Sequence, residues 1–133
     1  MKIASILENQ NIEKRIAVTP DIAKKYISLG FEVLLVNKYA DHLGIKDEEY
    51  SSIGVKFYSD EKEILNNSDI IIQLGLLSDE KSSFLKKGQI LIGSLNSYQN
   101  KEKLHKLKDK EIKIFSLELL PRITRAQSMD ILS

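Results

Sequence analysis

Short apolar runs rich in isoleucine and valine alternate with charged stretches along the chain. The runs at 2–7, 32–36, 56–58, 70–74, 90–95 and 113–117 predict strands. Ile70-Ile71-Ile72 is apolar at every position, as in a strand covered on both faces. The stretches between the runs predict helices. The first covers 20–29: Thr19 offers an N-cap, Pro20 suits the first helical position, and Gly30 supplies the stop. Others fall at 47–53, ending at Gly54, and at 60–65, opening with the capping-box-like pair Asp60 and Glu63. Two more fall at 80–85, near Gly88, and at 101–107. A last helix opens at Thr124, spaced from Gln127 as in a capping box, and continues to the end.

A strand followed by a helix, repeated about six times, calls for an α/β fold with right-handed crossovers. The expected architecture is a three-layer, mostly parallel, doubly wound sheet with helices on both faces. It is Rossmann- or flavodoxin-like in plan, without a glycine-rich loop. Residues 1–133 read as one domain, with no internal repeat, low-complexity segment or linker. No glycine, asparagine or proline closes the last helix. The chain is therefore expected to be cut from a longer parent, or to be one piece of a split enzyme.

Composition narrows the function classes. The net charge is +1, with acidic and basic residues interspersed, which argues against a nucleic-acid or anionic-membrane surface. The absence of cysteine excludes disulfides, thiol chemistry and cysteine-ligated metals. No apolar run approaches the roughly 18 residues that span a bilayer. The apolar start is too short for a signal peptide, so a cytoplasmic chain is expected.

Familiar phosphate-binding motifs are missing. Neither G-x-G-x-x-G nor the Walker pattern occurs, and the turn at 8–13 has no glycine. A self-sufficient dinucleotide-binding domain is not expected. A receiver domain would need an acidic pair after the first strand, where Glu8 stands alone. A flavin-phosphate loop rich in serine, threonine and glycine is missing too. His42 and His105 lack metal-ligand spacing and read as surface histidines, so no metal and no catalytic triad is expected.

Arginine use is more telling. Of twenty basic residues only Arg15, Arg122 and Arg125 are arginine, the planar fork that grips carboxylates, phosphates and ring faces. Arg15 lies in a charged loop with Glu8 and Glu13, at the strand end where open α/β sheets present ligands. Either Glu13 and Arg15 pair in solvent, or Glu8 holds Arg15 in a cleft. Arg122 follows Pro121, which fixes the backbone as the chain leaves the last strand. Gln127, Asp130 and Ser133, spaced by three, share a helix face. Either Gln127 caps and the others are solvated, or this face, headed by Arg122, meets a ligand held by another domain. Arg125 lies off that face and reads as a structural or interdomain contact.

Two segments carry a family resemblance. Glu8…Glu13-Lys14-Arg15-Ile16-Ala17-Val18-Thr19-Pro20 resembles a glutamate followed by E-x-R-V-A-x-T/S-P. Pro121-Arg122-Ile123-Thr124-Arg125-Ala126-Gln127-Ser128-Met129-Asp130-Ile131-Leu132-Ser133 resembles P-R-I-S/T-R-A-Q-S-M/L-D-x-L-S. Both belong to the N-terminal domain shared by alanine dehydrogenase and the alpha subunit of proton-translocating NAD(P) transhydrogenase. The resemblance runs over essentially the whole chain, including Gly30-Phe31-Glu32-Val33.

Two departures point to the transhydrogenase branch. Alanine dehydrogenases carry a lysine and a histidine where this chain has Gln73 and Asn96. Without them a keto acid would lack its carbonyl-polarising partner and its proton donor. Transhydrogenases also usually keep that lysine, so Gln73 departs from both branches. Tyr98-Gln99-Asn100 resembles the transhydrogenase A-Q-N segment.

The resemblance implies a domain packed against a Rossmann domain that carries the glycine-rich loop, with NAD(H) between the two. Arg122, Gln127, Asp130 and Ser133 would approach the nicotinamide and its ribose. Hydride would pass from NADH to NADP on another domain, coupled to proton movement through a membrane component. The implied partners are the membrane and NADP-binding subunits and a second copy in a homodimer, with the chain cytoplasmic and peripheral to the inner membrane. Arg15 matches a substrate-carboxylate arginine of alanine dehydrogenase, and in a transhydrogenase would be structural.

Overall fold

A computed structural model describes residues 1–11, 13–94 and 100–116. Along the chain it runs β1 (Lys2–Ser5), α1 (Pro20–Ser28), β2 (Glu32–Val36), a 3-10 turn (Asp41–Leu43), α2 (Asp47–Ser51) and β3 (Lys56–Tyr58). Then follow α3 (Glu61–Asn67), β4 (Ile70–Gln73), α4 (Asp79–Ser82), β5 (Ile90–Gly93), α5 (Lys101–Asp109) and β6 (Lys113–Ser116). The predicted helix from Thr124 lies outside the described residues.

Among the described residues the six strands form one sheet in the order β3-β2-β1-β4-β5-β6, every pairing parallel. This is the Rossmann order rather than the flavodoxin one. Right-handed crossovers put α1 and α2 on one face and α3, α4 and α5 on the other. Accordingly α1 packs on β2 and α2, α3 on β1, β2 and β3, and α5 on β6.

Local chemistry sets the elements. Thr19 is extended at φ −80° and ψ 166°, and its Oγ1 accepts from Ile22 N at 3.3 Å, capping α1 ahead of Pro20. Gly30 then turns the chain at φ 98°, a conformation that glycine reaches without penalty. Asp60 caps α3 by accepting from Lys62 N at 2.9 Å. Ser78 caps α4 by accepting from Lys81 N, which starts that helix at Asp79.

Register places Leu34, Ala4, Ile71 and Leu91 side by side in one row across four strands, each nearly inaccessible. Burial of such branched side chains supplies most of the driving force, at about 25 cal/mol per Å². Strand β1 ends two residues, and β4 one residue, earlier than the apolar runs suggest. There the chain leaves its ladder, and the freed backbone groups must find side-chain partners.

Candidate functional site

The topological switch point lies between β1 and β4, where neighbouring crossovers depart in opposite directions and open a crevice at the strand C-termini. The pairing of β1 and β4 runs through Ile3↔Ile70 and Ala4↔Ile71, and beyond it side chains close the gap.

Gln73 is 1% exposed. Its Oε1 accepts from Ile6 N at 2.7 Å and from Ser5 Oγ at 3.0 Å. Its Nε2 donates to Ile6 O at 3.1 Å and to Glu8 Oε2 at 2.9 Å. The side-chain amide thus takes the place of a backbone amide beside Ile6, pairing with both its N–H and its C=O. Lysine, which only donates, could not serve the Ile6 N–H.

Glu8 completes the closure. Its Oε2 accepts from Leu74 N at 2.8 Å and its Oε1 from Gly75 N at 3.0 Å. Burial pushes its carboxyl above the ordinary range, opposed by the Leu74 and Gly75 amides and by Lys81. Beside it opens a pocket of about 260 Å³, lined by Leu7, Glu8, Asn9, Gln73, Ser78 and Lys81 among others.

The far side of the network holds the loop after β1. Tyr39 OH bonds Ser5 Oγ at 2.9 Å and accepts from Ala17 N and Val18 N, both at 3.2 Å. Tyr50 OH donates to Val18 O at 2.8 Å, and the two rings meet edge to face. His42 donates from Nε2 to Lys14 O at 2.8 Å and accepts at Nδ1 from Gln10 at 3.2 Å, the tautomer that satisfies both neighbours.

Burial drives the Tyr39 hydroxyl up to about 12. A raised pKa means that the folded state keeps a proton the unfolded chain loses near pH 10. This contribution to stability is full below pH 10 and declines as pH rises through about 12. Absorbance at 295 nm is expected to show Tyr39 and Tyr26, also pushed up to about 12, ionising only at the alkaline end, with loss of structure. Ionisation of every tyrosine near pH 10 with the fold intact would contradict this.

Arg15 is not held by Glu8 here. Its guanidinium forks onto Glu13, Nε to Oε2 at 3.0 Å and a terminal nitrogen to Oε1 at 2.7 Å, with the Arg15 side chain 80% exposed. Hydrogen bonding from Arg15 holds the Glu13 carboxyl down at about 2. His105 lies on the outer surface of α5, 3.8 Å from Asp109. Among the described residues no cluster of histidine and carboxylate side chains could hold a metal ion. No helix among them is long and apolar enough to cross a membrane.

Arg122, Arg125, Gln127, Asp130, Ser133 and Asn96 lie outside the described residues. Sequence reasoning missed the Ser5–Gln73–Glu8–Tyr39 network. The available signal was Gln73 itself, a polar residue ending a run of three isoleucines, which must find partners if buried.

The family model described as alanine dehydrogenase/PNT, N-terminal domain, matches residues 6–133. The first portion of the split alpha subunit of NAD(P) transhydrogenase from Rickettsia prowazekii is 37% identical over 137 residues, covering 100% of this chain and 36% of the relative. The chain therefore spans about a third of that relative's length. The crystal structure of a transhydrogenase from Sinorhizobium meliloti superposes with a TM-score of 0.85 at 31% identity, over 98% of this chain and 39% of that one. An L-alanine dehydrogenase superposes with a TM-score of 0.82 at 18% identity, over 89% and 32%, a likeness of fold alone.

Proposed function

The chain belongs to the alanine dehydrogenase/PNT N-terminal domain family, and we propose that it forms one wall of the NAD(H) cleft in a proton-translocating transhydrogenase. The observation that carries this reading is the match to transhydrogenase relatives, at 37% identity over the whole chain and at a TM-score of 0.85. Gln73 bears on the dehydrogenase alternative. It is neutral, and both ends of its amide are committed to Ser5, Ile6 and Glu8. No charge is left there to polarise a keto-acid carbonyl, which disfavours an alanine dehydrogenase. The transhydrogenase relatives support the same branch.

The described residues suit one wall rather than a whole dinucleotide site. The turn after β1 has no glycine, and Glu8 fills the amide seat at the end of β4, so the described residues offer a pyrophosphate no cradle. A Rossmann domain of the parent chain would hold the rest. Bound nicotinamide supplies the hydride chemistry, and the protein orients it. On this reading Arg122 and Gln127 hydrogen-bond the ring amide or ribose, and Asp130 and Ser133 extend that polar network. Arg15 is the weaker candidate, for a substrate carboxylate. The partners are the Rossmann domain, the membrane and NADP-binding subunits and a second copy in a homodimer, at the cytoplasmic face of the inner membrane.

Calorimetric titration with NADH tests the shared cleft. The full-length parent is expected to bind and residues 1–133 alone to bind weakly, because half the contacts are missing. Micromolar affinity in the isolated chain would overturn the shared-cleft reading.

A further inference from the structure

The backbone N–H groups of Leu74 and Gly75 follow one another at the end of β4 and converge on one carboxylate. Two successive amides donating to one carboxylate make a small seat for an anion. Gln73 Nε2 adds a third donor at 2.9 Å. The occupant comes from across the crevice: Glu8 precedes Leu74 by 66 residues.

We infer that the Leu74–Gly75 amide pair is a binding site for a small carboxylate, which the chain fills with its own Glu8 and so closes to carboxylates from solution. Glu8 also lines the open pocket of about 260 Å³, with Lys81 on the same wall, so the seat is reachable from solvent once vacated. A tethered carboxylate acts at a high effective concentration, and a free acid of ordinary affinity does not displace it. The inference goes beyond the cofactor reading and does not depend on it.

The experiment uses the full-length chain carrying Glu8→Ala, with acetate as the probe and no nucleotide present. The variant is expected to unfold at a lower temperature. Acetate at about 100 mM should then raise its midpoint by about 5 °C, if acetate binds on the order of 10 mM. Sodium chloride at equal ionic strength and acetamide should have no such effect. Acetate should also shift the amide resonances of Leu74 and Gly75. Wild type should not respond, and Glu8→Gln, whose amide fills the space but accepts at one end only, should respond less than Glu8→Ala. If Glu8→Ala folds only in acetate, the site is supported. No response in folded Glu8→Ala, equal responses in all three proteins, or failure of Glu8→Ala to fold in acetate while Glu8→Gln folds would each overturn it.

Discussion

Replacing Gln73 with methionine is expected to cost the fold about 3 kcal/mol, by leaving buried polar groups without partners. Methionine keeps the length and volume of the side chain, so little of the loss comes from a cavity. Ser5 retains Tyr39, and Glu8 retains Leu74 and Gly75. The Ile6 N–H and C=O lose the amide that now serves both, in a place closed to water. Gln73→Glu should cost more, about 4 kcal/mol at pH 7, since it sets a second carboxylate against Glu8 Oε2 and Ile6 O. The pair can then keep only one charge, so the folded state takes up a proton. Stability of Gln73→Glu should rise relative to Gln73→Met as pH falls, because the folded-state pKa lies above the unfolded one. Urea unfolding at pH 7 and pH 5 measures both. Losses below about 1 kcal/mol in either variant would mean that the amide does not hold the crevice shut.

If the proposed cleft is right, Arg122→Ala or Gln127→Ala in the full-length parent is expected to slow hydride transfer from NADH about 100-fold while leaving the fold intact. On that proposal the reaction needs no general base on this chain, only a ring held at the right distance and angle. Removing a hydrogen-bonding group that positions the ring should therefore act mainly on the transfer rate. Single-turnover kinetics with NADH and an NADP analogue measure that rate, and circular dichroism checks the fold. Unchanged rates in both variants would remove these residues from the site. A separate assay for pyruvate amination addresses the dehydrogenase alternative. Appreciable amination would favour that branch despite the neutral Gln73.

Much of the fold was legible from local chemistry. The cap at Thr19, the proline after it and the turn at Gly30 are signals within a dozen residues, and α1 occupies Pro20–Ser28 as they require. Apolar runs located all six strands, and in β4 the isoleucine run reflects burial on both faces, which leaves no polar side to show. Strand ends were less legible. Ile6, Leu7 and Leu74 are apolar but lie beyond the ladder, because hydropathy records burial and not hydrogen-bond partners. The assignments to Arg122, Gln127, Asp130 and Ser133 rest on the thirteen-residue motif and remain a proposal.

The residues alone determined an α/β chain that lacks its own phosphate loop and carries two family segments, because periodicity, caps and motifs are local properties. Tertiary structure decided what the loop after β1 does. From sequence, Glu8 stood equally well beside Arg15 or in solvent. In the fold it crosses the switch-point crevice to the Leu74 and Gly75 amides, and Arg15 turns to Glu13. Those amides are freed only because β4 leaves its ladder at Gln73, and they lie within reach of Glu8 only because β1 and β4 are neighbours. Contacts across more than sixty residues depend on strand order, which no local pattern encodes.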